Sequence, residues 1–143
     1  MYYNDPTIAE MPTDECWDLL RTREVGRLGV NADGFPQVLP MNYALDGSTV
    51  VVRSRPGAKL RSADGQPVSF EIDDIDEIGR AGWSVLVKGR ATLVPPTHEA
   101  RASTEDTMVQ PWAPGEELYW MRIDVAEISG RRITPGKDRA WRP

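Results

Sequence analysis

Histidine and cysteine are almost absent: the 143 residues hold one of each, His98 and Cys16. A lone cysteine forms no internal disulfide, and one Cys with one His cannot complete a structural zinc site. A Ser-His-Asp hydrolase needs its imidazole beside the nucleophile. His98 instead follows Pro95, Pro96 and Thr97 at the start of an expected surface helix, where a polar surface role suits it better than that of an axial haem ligand. Missing too are a GxGxxG turn and a GxxxxGK[ST] loop, which removes two common glycine-rich routes to nucleotide phosphates. No apolar run is long enough for a signal segment or a membrane span, so a cytoplasmic location is expected. Basic residues are in the minority, 17 against 22 acids for a formal charge of −5. Such a chain as a whole repels nucleic acid and anionic membrane, so neither is expected as a partner.

What is there reads as one domain spanning residues 1–143, with a core over about 13–129 and a polar tail from 130. TDECWDLLR predicts a short helix capped by Thr13, with acids in its first turn and Cys16, Leu19 and Leu20 turned inward. Cys16 beside Trp17 reads as a buried thiol rather than a nucleophile. VGRLGV, PQVLPMNYAL and TVVVRS, divided by NADG and DGS, predict a three-strand meander. In VSFEID, Val68, Phe70 and Ile72 alternate with Ser69, Glu71 and Asp73; in GWSVLVKGRATLV, Trp83, Val85 and Val87 share a face and Gly89 marks a bulge or bend. A helix over THEARASTEDTM, the loop QPWAPGEE and a final strand LYWMRIDVAEISG complete the pattern. Six closely spaced strands with helices only in the connections predict a mainly β, antiparallel barrel. The acid run EIDDIDE lacks the Asp/Asn-Gly pattern of a calcium loop and reads as a solvated edge. With 22 acids, no spacing singles out a pair for acid/base work.

The charge pattern has one local exception. Arg53, Arg55, Lys59 and Arg61 surround a Pro56-Gly57 turn directly after a valine run, in a chain that is acidic overall. Arg53 and Ser54 at the end of a buried strand, with Lys59 on the turn, supply a fork of donors, a hydroxyl and an ammonium, which suits the phosphomonoester of a small ligand.

The succession LPMNYALDG, VVVRSRPGAKL, VSFEIDDID and GWSVLVKGRATLV resembles the pyridoxamine 5′-phosphate oxidase-like, FMN-binding split β-barrel family, in particular its small actinobacterial-type branch, over about residues 13 to 129. The resemblance implies a six-stranded Greek-key split barrel that forms a homodimer, with a flavin in each of two clefts between the chains. It implies that Arg53, Ser54 and Lys59, with Leu60 beside them, hold the FMN phosphate, and that the backbone of Leu39, Pro40, Met41 and Asn42 runs along the isoalloxazine edge. Ser84, Trp83 and Trp112 would come from the partner chain. Asn42 also reads as a structural polar group, and Trp83 as core. Arg55 and Arg61 are either solvated or placed to meet a longer anionic tail, as the deazaflavin cofactor F420 carries. The implied activity is FMN- or F420-dependent hydride or electron transfer with a small-molecule donor or acceptor; the alternative is a protein that binds flavin, deazaflavin or haem without turnover. The family's vitamin B6 oxidases end in an Arg-bearing substrate segment that ITPGKDRAWRP does not match, so a different substrate is expected.

Overall fold

The computed structural model describes residues 6–54, 57–94 and 119–135, apart from the side chains of Ala58 and Lys59. Along the chain come β1 (Thr7–Glu10), α1 (Thr13–Arg21), β2 (Val25–Ala32), β3 (Phe35–Asp46), β4 (Thr49–Ser54), α2 (Ala58–Ser62), β5 (Pro67–Asp76), β6 (Ala81–Val94) and β7 (Tyr119–Thr134). The helix expected over 97–108 with His98, the loop with Trp112, and Arg55 lie outside the described residues.

Turn chemistry sets the first register. Asp33 and Gly34 both take positive φ, 55° and 79°, as a two-residue hairpin of the twist-matching kind requires. From there β2 and β3 pair from Ala32↔Phe35 back to Val25↔Asn42. A second turn, with Gly47 at φ 59°, leads into β4, so the predicted meander is present. The sheet order is β1-β7-β4-β3-β2-β5-β6, and β6 also pairs with β7. Strands β2 to β7 thus hydrogen-bond in a closed circuit, which leaves no unpaired edge along the closure.

Six strands were expected and seven are described. The addition, β1, lies antiparallel on the far end of β7, pairing Thr7↔Thr134 through Glu10↔Arg131. Its sequence, TIAE, is exposed at every position, so no alternation marks it. Likewise β7 does not stop at Gly130 but runs on to Thr134. Gly130 is a close approach rather than a terminator: a Cβ there would run into Met11 and Cys16.

Inside the barrel, Leu28, Val50, Val52, Phe70, Ile72, Val85, Val87, Met121 and Ile123 form a buried core, and α1 adds Cys16 and Leu20 to it. Burial pushes the Cys16 thiol above its ordinary range, with the Glu15 charge adding to the effect. The helix cap is Pro12 rather than Thr13, with no side-chain cap bond; the Pro12 carbonyl already accepts the first helical bond, from Cys16 N–H at 3.2 Å. The α1 end is tied to the barrel by the Tyr43 hydroxyl, which donates to the Leu20 carbonyl at 2.6 Å. The Tyr43 ring packs edge-on against Phe70 with centroids 4.9 Å apart. Gly89 sits where predicted, at a register shift between Lys88 and Gly89 on the β6–β7 ladder. No described helix is long and apolar enough to cross a membrane.

Candidate functional site

Alternation along β4 decides what the basic segment can do. Val50 and Val52 enter the core, so Val51 and Arg53 face outward. That outer face is not simply solvated: Val51 and Trp120 are buried there, with Ala44 and Val94 packed against them. Arg53 pairs with Trp120 across the β4–β7 ladder. Its guanidinium carbon lies 4.7 Å from the centroid of the Trp120 ring, a cation–π contact that restrains the side chain. Arg53 Nε is also buried and has no hydrogen-bond acceptor among the described residues. A buried donor left unpaired costs about 1–3 kcal/mol, and an anionic ligand at this spot would relieve that cost.

The neighbouring segment is placed by the same geometry. The β3–β4 ladder ends at Tyr43↔Val52, and the next residues on the two strands are Asn42 and Arg53, both on the outer face. Asn42 is half-buried, and its Nδ2 donates to the Glu24 carbonyl at 3.4 Å. Pro40 is outward and exposed. Leu39 and Met41 point the other way and pack against the core, so only their backbone can border a ligand on the outside. Half-buried Ser54 pairs with Tyr119. Leu60 is a core residue, 3% exposed, and offers no side chain to the outer surface. Lys59 lies on α2, whose extended entry is Gly57.

Ser84 and Trp83 are not brought to Arg53 within one chain. Ser84 is on the outer face of β6, opposite Asp73 on β5 and Arg131 on β7, whereas Arg53 meets β7 at Trp120. Trp83 packs against the core beneath the guanidinium of Arg23, 5.2 Å from the ring centroid. Arg23 in turn donates to Asp74 at 2.9 Å. A cavity of about 350 Å³ beside Trp83, lined by Asp74, Asp76, Gly82 and Arg132, does not reach the Arg53 region.

Two features escaped the sequence reading. Trp120 is one; the alternation of Tyr119, Met121 and Ile123 inward put it outward, beside whatever β4 presents. The other is the first part of the acid run: Glu71 pairs with Arg27 on β2 and is half-buried, as is Asp73, whereas Asp74, Ile75, Asp76 and Glu77 are exposed and have no partner on β2, the solvated edge expected of them. Arg27 Nη1 donates to Glu71 at 3.1 Å and to Asp73 at 2.7 Å. Burial, a hydrogen bond with Asp73 and the Asp73 charge together push the Glu71 carboxyl up to about 7, against the opposing pull of Arg27.

A family model described as pyridoxamine 5′-phosphate oxidase matches residues 12–132. The chain belongs to this family. An uncharacterized protein of Mycobacterium tuberculosis is 35% identical over 132 residues, which cover 88% of this chain and 86% of that protein. Among solved structures, an FAD-binding protein from Mycobacterium smegmatis superposes with a TM-score of 0.74 at 33% identity, covering 88% of this chain and 98% of the other. An FAD-binding protein from Mesorhizobium loti gives a TM-score of 0.71 at 27% identity, with 90% and 98% covered. Membership agrees with the resemblance carried by the four sequence segments.

Proposed function

We propose that this protein binds a flavin nucleotide, FMN or FAD, through the phosphate nearest the ribityl chain, and uses it for redox chemistry on a small organic acceptor. The observation that carries the reading is Arg53: an outward guanidinium against the Trp120 ring, with a buried Nε that has no acceptor among the described residues. Its neighbour Asn42 and the outward Pro40 border the same face, where the flat ring of a flavin would find backbone N–H and C=O groups at its polar edge. The two FAD-binding structures at 33% and 27% identity support the cofactor class. Lys59 and Arg61 would add a positive field that favours an anion, whereas Ser54 shares the Val50 and Val52 side of β4 and does not stand beside the outward Arg53.

The flavin would supply hydride or electron transfer when bound. The chain's own contribution is then placement: Arg53 anchors the phosphate end, and the β3 backbone from Leu39 to Asn42 fixes the ring laterally. Ser84 and Trp83, remote from Arg53 in one chain, would complete the cleft from a second copy, and the protein is accordingly read as a homodimer. An FAD adenylate tail adds a second phosphate, for which exposed Arg61 is the nearest described cation along the chain.

Titrating apo-protein with FMN and with FAD by calorimetry tests the cofactor; adding NAD(P)H or reduced deazaflavin and watching the flavin band bleach tests the redox role. Micromolar binding of at least one flavin supports the reading. No binding of either would end it.

A further inference from the structure

One charge stands beside the strand proposed to border the flavin ring. The outward positions Val38, Pro40 and Asn42 of β3 pair with Gly29, Arg27 and Val25 of β2, and paired residues put their side chains on the same side of a sheet. Of these six only Arg27 is charged. On its other side Arg27 pairs with Glu71 of β5. Neighbouring strands lie about 5 Å apart, so the long Arg27 side chain has a carboxyl group within reach on one side and the ring's strand within reach on the other.

Arg27 is drawn toward β5. Its Nη1 donates to Glu71 at 3.1 Å and to Asp73 at 2.7 Å, while Nε and Nη2 have no acceptor among the described residues. The Arg27 side chain is 52% exposed against 34% for Glu71 and 21% for Asp73, so the cation is the member of the cluster with room to turn. Glu71 also shares a hydrogen bond with Asp73, which two carboxyl groups can form only when one of them is protonated. Glu71 keeps its proton up to about pH 7. The cluster is then neutral, one cation against one anion; once Glu71 ionises it carries a net negative charge. The other strand beside Glu71, β6, brings Lys88 diagonally, and Lys88 is paired with Glu127 of β7 at 3.7 Å.

We propose that Arg27 is a second ligand-binding cation of this face, serving the ring end of the flavin as Arg53 serves its phosphate end, and that Glu71 switches it. Neutral Glu71 leaves the fork to the ligand. Ionised Glu71 draws it back to β5 and sets a negative charge beside the site. The assignment rests on the flavin site proposed above and adds a sign to it: an anionic ligand favours the protonated form of Glu71, so binding takes up protons and weakens as pH rises through about 7.

Calorimetric titration with FMN and FAD at about pH 6 and about pH 8 tests this on wild type, Glu71→Gln and Arg27→Gln, with circular dichroism confirming the fold. Comparing variants at one pH cancels the titration of the flavin phosphate itself. Glu71→Gln should bind as wild type does at the lower pH and at least about threefold more tightly at the higher one, where wild type has lost the neutral form. Arg27→Gln should bind roughly tenfold more weakly than wild type at the lower pH, and the gap should narrow at the higher pH, where the carboxylates already hold the fork. A loss of packing alone would not follow pH in this way. Repeating the titration near pH 7 in two buffers of different ionisation enthalpy counts protons, and wild type should take up more than Glu71→Gln on binding. A ratio of wild type to Glu71→Gln that is the same at both pH values, equal proton counts, or wild-type affinity in Arg27→Gln at the lower pH would overturn the role of Arg27 and Glu71 while leaving the flavin site standing. Wild type that binds neither flavin at either pH would overturn the site and the switch together. Should Arg27→Gln fail to fold, the comparison of wild type with Glu71→Gln decides alone.

Discussion

Arg53 and Trp120 face each other across two strands that are adjacent in space and far apart in sequence, with the guanidinium carbon 4.7 Å from the ring centroid and a buried Nε that has no acceptor among the described residues. The contact turns a flexible cation into an oriented one. Flavin binding is then expected to depend on a residue that need not touch the flavin. Trp120→Leu keeps an apolar group in the outer cluster but removes the ring; a cation–π contact is worth about 0.5–2 kcal/mol, so flavin affinity should fall roughly twofold to thirtyfold. Quenching of flavin fluorescence on titration measures it. Unchanged affinity would mean that the stacking does not orient Arg53 for the ligand.

The Glu71 carboxyl gives the fold a pH dependence of definite sign. Its pKa of about 7 in the native chain lies above the ordinary carboxylate value near 4.3, so between those limits the native state holds a proton that the unfolded chain has released. Its contribution to stability is full below about pH 4.3 and is lost as pH rises through about 7. Urea unfolding of wild type should therefore show a component that weakens from pH 5 to pH 8. Glu71→Gln, which keeps a hydrogen-bonding group without the titration, should flatten that component. An equal slope in both proteins would assign the dependence elsewhere.

Much of this architecture was legible because the chain punctuates itself. Asp33-Gly34 and Gly47 marked the hairpins, period-two alternation marked the inward sets on β5 and β6, and Gly89 marked the irregularity in β6. What escaped notice had no local signal. TIAE forms β1 only because β7 continues past Gly130 to receive it, and a glycine required by the nearness of Met11 and Cys16 looks, in sequence, like a stop. Within the site, the basic cluster after the valine run was legible, but the outward direction of Arg53 was not, because Val50, Val51 and Val52 are all buried and show no alternation, and its partner Trp120 comes from β7. The inward turn of Leu39, Met41 and Leu60 separates residues that the motif names together: their side chains belong to the core.

Gly89 tests whether the bulge is a requirement or a tolerance. A Cβ at this position would run into the backbone carbonyl oxygen of Asp124, which has no rotamer to escape by. Gly89→Ala should cost about 1–3 kcal/mol, the usual range for overpacking, read from the urea midpoint at constant m-value. Gly29→Ala, on an adjacent part of the barrel where a Cβ meets only ordinary contacts with Ser69, should change stability far less. Equal losses would show that the bulge plays no special part.

The central claim is that Arg53 is the anchor of a flavin phosphate. Isothermal titration of wild type, Arg53→Ala and Arg80→Ala with FMN and FAD addresses it directly, with circular dichroism confirming that all three remain folded. A charge-assisted donor to a phosphate is worth about 1.5–3 kcal/mol, so Arg53→Ala should bind the preferred flavin roughly tenfold to hundredfold more weakly, and Arg80→Ala, at an exposed position on the β5–β6 connection, should bind it as wild type does. Wild-type affinity in Arg53→Ala would contradict the account.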